Sequence, residues 1–142
     1  MSRLSFGIAS PLPSFNVLES ARGRVLSQGL RRQNGYNLMK RAAQRSVELT
    51  ILAALRERRD LPLPMAGPLT LSCWWGPSKT DPDNQAAGKK IILDALVNAG
   101  VLANDRRWRR DGDGTIARLV DEFSDDSTAG FAVVVQLRPW EP

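Results

Sequence analysis

Among the 142 residues there is no histidine, one cysteine and one tyrosine. Without histidine, Ser-His-Asp and Cys-His triads are excluded, as is metal binding by imidazole. A lone thiol, Cys73, excludes an internal disulfide framework and a cysteine-rich zinc site. Long apolar runs are also missing: none approaches the roughly 18 residues a membrane helix needs. Pro11 and Pro13 interrupt the short apolar stretch after Arg3, which makes a poor secretory signal. Nothing here needs oxidation, so a reducing, cytoplasmic location is expected. Chemistry at neutral pH is left to carboxylates, lysine, or a metal held by oxygen. Oxygen-only ligation favours a hard cation such as magnesium or manganese.

What is present is basic. Twenty Lys+Arg against fifteen Asp+Glu give a net charge of +5 and a sequence pI near 10.1. That balance points to an anionic partner without identifying it. Hydrophobic residues at 42% and charged residues at 25% suit a globular domain, and the length suits one domain over 1–142. Leu4 to Ile8 reads as a short strand, and Ser10 to Ser14 as a proline-interrupted loop. Residues of about 20–36 are polar and rich in arginine and glycine. They lack a clear period and read as a mobile basic arm.

From Tyr36 to Arg59 the pattern is helical, with Leu38, Ala42, Val47, Leu49, Ile51, Leu52 and Leu55 on one broad apolar face. Asp60-Leu61-Pro62 stops it. Pro68 to Trp75 reads as a strand with Leu69, Leu71, Cys73 and Trp75 on one face and Thr70, Ser72 and Trp74 on the other. A second helix is expected from Asp81-Pro82-Asp83 to Ala99-Gly100, since proline suits the first helical position and glycine the exit. Thr115 to Phe123 and Phe131 to Leu137 read as two strands, joined as a hairpin through Ser124 to Gly130. The sum is a single α+β domain with a small, mainly antiparallel or mixed sheet packed by two main helices.

Residue types that can do chemistry concentrate between Asp81 and Asp113. Asp81-Pro82-Asp83-Asn84 stands where a strand-exit loop meets a helix. Helix-start aspartates commonly cap free N–H groups and complement the helix dipole, which explains one of the two more easily than both. Lys89, Lys90 and Asp94 follow. Lys90 and Asp94 are four apart and share a helix face, as a simple surface pair would. Asn104-Asp105 then precedes Arg106, Arg107, Trp108, Arg109 and Arg110. This is either a solvated charged loop or a grip on phosphates with an indole to stack on a base. Asp111-x-Asp113-x-Thr115 with Glu122 has the spacing of a calcium loop. Ile116 stands where that loop needs glycine, so Asp111 to Gly114 is read as a turn.

In order, Asp81-x-Asp83-Asn84, a lysine, Asp94-Ala95-Leu96, Ala99-Gly100 and Asp105 resemble the RusA-type Holliday-junction resolvases. These are short endodeoxyribonucleases of bacteria, phages and prophages. The match covers about residues 81 to 108; elsewhere size and element order agree. Pro11 to Asn16 is similar to the family's start after its first strand, and Arg24 with the basic segment after it suits the family's N-terminal region. In the family a lysine stands four residues after the second aspartate. Here that position is Ala87, and counting back from Asp94 selects Lys90, with three extra residues before it. The family's acidic pair appears as Asn104-Asp105, and its following glutamine as Arg107.

The resemblance implies a RusA-like fold and a homodimer acting on four-way junctions in DNA recombination and repair. Asp81, Asp83 and Asp105 would bind magnesium, with manganese as a substitute. Lys90 would offset charge in the transition state, and paired symmetric nicks would leave 5′-phosphate ends. DNA contacts would fall to Arg22, Arg24, Arg31, Arg32, Lys89 and the run Arg106, Arg107, Trp108, Arg109 and Arg110. A helix from Asp83 to Asn98 would be about 24 Å long, and the seven residues to Asp105 span at most about 25 Å. Asp105 could therefore complete its own site or that of a partner subunit. Two other readings stand beside this one: a branched-DNA binding protein of little or no activity on the same fold, and a hydrolase of small phosphate esters.

Overall fold

The computed structural model describes residues 2–13, 32–124 and 128–142. The chain runs β1 (Leu4–Ile8), α1 (Arg32–Glu57), β2 (Leu69–Trp75), α2 (Pro82–Ala86), α3 (Lys89–Asn98), β3 (Ile116–Phe123) and β4 (Val133–Pro139). Asn16 of the Pro11 to Asn16 stretch and the candidate DNA contacts Arg22, Arg24 and Arg31 lie outside the described residues. Residues 32–36, read from sequence as the end of a basic arm, are instead the first turns of α1.

The four strands form one sheet in the order β1-β4-β2-β3. β4 is antiparallel to both β1 and β2, whereas β3 is parallel to β2. The sheet is therefore mixed, and β3 and β4 are not a hairpin: β2 lies between them. β2, Leu69-Thr70-Leu71-Ser72-Cys73-Trp74-Trp75, is an inner strand between β4 and β3, and every residue but Trp74 is buried. Even Thr70 and Ser72 are buried there, each 2% exposed.

One side of the sheet carries the core. Leu69, Leu71, Cys73 and Trp75 line up with Leu137, Val135 and Val133 of β4 and with Leu4, Phe6 and Ile8 of β1. Val47 and Ile51 of α1 and Ile91, Ile92, Ala95 and Leu96 of α3 join the same cluster, so both helices cover this face. Each fully buried aliphatic side chain there contributes about 1.5–3 kcal/mol through its removal from water. Glu48 is the buried carboxylate, 8% exposed, and its Oε1 accepts from the side-chain amides of Gln44 and Asn98.

The apolar face expected of α1 is narrower than the sequence suggested. Val47 and Ile51 are buried, but Leu38, Leu49 and Leu52 are exposed. At 100° per residue these three share an angular sector nearly opposite Val47, so composition alone overstated the stripe. No described helix is long and apolar enough to cross a membrane.

Candidate acidic site and basic loop

The exit of β2 leads straight into Asp81. Its backbone is extended (φ −59°, ψ 148°), and its carbonyl accepts the Gln85 N–H at 2.9 Å. Its carboxylate makes no capping hydrogen bond, so the simple capping role is not taken up. Asp83, in the first turn of α2, is equally exposed. Neither carboxylate has a hydrogen-bond or ion-pair partner among the described residues. Gln85 Nε2 donates to the Gly76 carbonyl at 2.9 Å and ties α2 back to the strand exit. A cleft of about 520 Å³ opens beside it, walled by Trp75, Phe131, Leu12 and Pro77.

The long helix expected over 81–100 is two helices, broken at Ala87-Gly88. The break lies between Asp83 and Lys90, so the two do not share one continuous helix. Lys89 and Lys90 therefore open α3 and diverge. Lys89 Nζ contacts the Asp121 carboxylate, whose other oxygen accepts the Trp75 indole N–H at 2.9 Å. Both charged side chains are about four-fifths buried, 21% and 20% exposed, so Lys89 is a fastening of α3 to β3. Cys73, beside Asp121 in the strand register, is pushed up to about 12, first by burial and then by the Asp121 charge. At neutral pH it is an inert thiol.

Lys90 turns outward. Its Nζ lies 2.7 Å from Asp105 and 3.0 Å from Asp94, which Lys40 of α1 also approaches at 3.5 Å. The hydrogen bond from Lys90 holds the Asp105 carboxyl below its usual range, and Asp105 followed by Asp94 raises Lys90. Asp105 thus returns to the first turn of α3 in its own chain. Two facts shorten the distance. α3 has ten residues. Gly100 then adopts φ +81°, a left-handed turn that lets Val101 and Leu102 donate to the Leu96 carbonyl. Buried Val101 and Leu102 fix the exit, and the chain runs back from there.

Asn104 holds the basic loop in shape. Its Oδ1 accepts the Arg106 N–H at 3.0 Å, its Nδ2 donates to the Asp113 carbonyl at 2.8 Å, and its carbonyl accepts from Thr115 Oγ1 at 2.6 Å. Thr115 and Ile116 donate to the Arg106 carbonyl, and the Trp108 N–H to that of Ile116. Gly114 lies so close to this ladder that a Cβ would stand 2.0 Å from the Arg107 carbonyl oxygen. The turn at the tip spans Arg109 to Gly112, two residues before the Asp111 to Gly114 turn expected from sequence. Arg106 is paired with Asp113 at 2.6 Å, and Trp108 packs on Trp140 with ring centroids 6.2 Å apart. Arg107, Arg109 and Arg110 are exposed, with no carboxylate partner among the described residues. Arg32 begins α1.

Among the described residues no three acidic or thiol side chains gather around one point as metal ligands would. Asp81 and Asp83 fit a hard cation in chemistry and exposure; Asp105 is held by Lys90. Sequence reading missed Asp121, the partner that separates the roles of Lys89 and Lys90. No protein-family model matches the chain, and no curated protein matches it.

Proposed function

We propose that the chain is a magnesium-dependent endodeoxyribonuclease that resolves four-way DNA junctions as a homodimer. The observation that carries this reading is the Lys90–Asp105 contact. It joins the middle of a motif spread over 81–105 to its last residue, and the motif's first two aspartates, Asp81 and Asp83, are exposed and unpartnered among the described residues. Asp81 and Asp83 would hold the cation through carboxylate oxygens. Asp105 would join them by leaving Lys90 or from a second copy. Bound there, a hard divalent cation supplies the charge that polarises a phosphate and acidifies a water. Release from Asp105 would leave the Lys90 ammonium paired with Asp94 alone, from which it would turn to offset negative charge on the reacting phosphate. Arg107, Arg109 and Arg110 supply cations for the DNA backbone.

The test is a labelled synthetic four-way junction with magnesium. Paired symmetric nicks are expected, abolished by EDTA and reduced at least 100-fold in Asp83→Asn with junction binding retained. Absence of cutting across magnesium and manganese would refute the enzymatic reading. The salt-bridged state of Asp105 favours a second reading, a branched-DNA binding protein without activity. It would bind the same junction with steep salt dependence and leave it intact.

A further inference from the structure

The cleft of about 520 Å³ lies at the end of the sheet where β1 and β2 finish. In a chain of net charge +5, none of the residues lining it is charged. Its depth is set by Trp75 and Val133, which pair across β2 and β4 and are almost fully buried. Its mouth is open, since Pro11, Pro77 and Phe131 of the lining are exposed. The volume falls in the range of about 300–1,000 Å³ common to sites for small organic groups.

Phe131 is held in place there. Its ring lies on the backbone of Gly7, where a Cβ would stand only 2.5–2.7 Å from three ring atoms. Glycine in β1 thus lets the ring seat against the strand, and 40% of the residue stays open to a ligand. Two polar groups of the lining are fixed as well. Gln85 Nε2 is tied to the Gly76 carbonyl at 2.9 Å, and its Oε1 has no partner among the described residues. Ser78 Oγ accepts the Thr80 N–H at 3.0 Å, which leaves its own proton to donate.

An uncharged cleft with aromatic walls, a fixed acceptor and a fixed donor matches a planar heterocycle with hydrogen-bonding edges. Nucleobases drawn out of a stack are held in this way. A phosphate does not suit the interior, because nothing there offsets its charge. Position adds a second reason. Thr80 and Gln85 line the cleft, and Asp81 stands between them with its carbonyl accepting the Gln85 N–H at 2.9 Å. The cleft and the exposed Asp81 and Asp83 therefore share one turn. A nucleotide joins base to phosphate through one sugar, so a base in the cleft brings a phosphate to its rim.

We propose that the cleft holds one unpaired nucleobase of the DNA strand whose phosphate faces Asp81 and Asp83. This rests on the nuclease reading of those aspartates and adds that the strand is gripped by a base outside its stack.

The test is fluorescence anisotropy of a short labelled oligothymidylate against the same backbone without bases, in EDTA so that binding is read apart from cutting. Both probes carry the same phosphates, so their ratio isolates the base. The parent should prefer the thymidylate at least 5-fold, as expected for one stacked base. Phe131→Leu keeps an apolar side chain and loses the ring, and should reduce that preference at least 3-fold. Phe123→Leu, similarly exposed but outside the cleft, should keep it. A smaller preference in the parent, a smaller reduction in Phe131→Leu, or an equal reduction in Phe123→Leu would each overturn the proposal. Size-exclusion of the same variants reads another occupant: a changed oligomeric state in Phe131→Leu with the preference intact would give the cleft to a second copy and overturn it too. Junction cutting is scored separately. Cutting absent with the preference intact refutes the nuclease reading and leaves a base-binding cleft, whereas cutting intact without the preference refutes the cleft alone.

Discussion

The Lys89–Asp121–Trp75 contact makes the sharpest quantitative prediction. Asp121→Ala removes the acceptor of a buried indole N–H and the counter-charge of a lysine that is four-fifths buried. An unpaired buried donor costs about 1–3 kcal/mol. Breaking a fully buried ion pair costs about 3–5 kcal/mol and a surface pair about 0–1, and this pair lies between those limits. The expected loss for Asp121→Ala is therefore about 2–4 kcal/mol. Asp121→Asn keeps an acceptor for the indole and loses only the charge, so about 1–2 kcal/mol is expected. Urea unfolding followed by tryptophan fluorescence measures both. With an unchanged slope of about 2 kcal/mol per molar urea, the Asp121→Ala midpoint should fall by about 1–2 M. In a double-mutant cycle with Lys89→Met, the coupling should be at least about 0.5 kcal/mol. An Asp121→Ala variant within about 0.5 kcal/mol of the parent would refute the reasoning, because it would show the indole and the ammonium simply rehydrated.

Two further outcomes follow from contacts around the site. Asp105 should titrate below the ordinary carboxylate value of about 3.9 and return to it in Lys90→Met, followed by NMR of the side-chain carboxyl. A lowered Asp105 stabilises the fold above that value and stops doing so as pH falls through its folded pKa. A raised Lys90 stabilises below about 10.4 and stops as pH rises through its own folded pKa. The stability difference between parent and Lys90→Met should then be constant across neutral pH and vanish at both extremes; an Asp105 titration identical in the two proteins would exclude the pair. Gly114→Ala should lower stability by about 1–3 kcal/mol through collision with the Arg107 carbonyl, whereas Gly112→Ala, whose nearest neighbour would be 3.6 Å away, should stay within about 0.5. Thermal melts that rank the two the other way would contradict the loop geometry.

Strand positions were legible in the sequence because alternation is local: Leu69, Leu71, Cys73 and Trp75 face the core as their spacing required. Strand order was not, since it depends on which edges meet across the whole chain. The Ser124–Gly130 stretch looked like a hairpin turn, yet β3 and β4 lie on opposite sides of β2. The role of Asp121 was hidden by one residue. The register with β2 slips at Ala117, so that Ile116 faces Leu69 but Arg118 faces Thr70. Without that bulge Asp121 would point away from Trp75, because a one-residue slip exchanges the faces of a strand. The break in the second helix had a visible sign in Gly88, which the strong pattern from Ile91 to Val97 outweighed. Asp81 and Asp83 were found at the strand exit where their motif placed them. The engagement of Asp105 by Lys90 needed the shortened α3 and the Gly100 turn to be seen.

β4 has a consequence for how the chain assembles during synthesis. It pairs with β1 on one side and β2 on the other, joining Leu4 to Leu137 and Trp75 to Val133. Until β4 is made, β1 has no neighbour, and the nascent protein holds at most the parallel β2–β3 ribbon. Contacts so distant along the chain are slow to form. For most of translation the edges of β1 and β2 that β4 will cover remain unpaired, the condition under which incomplete chains aggregate.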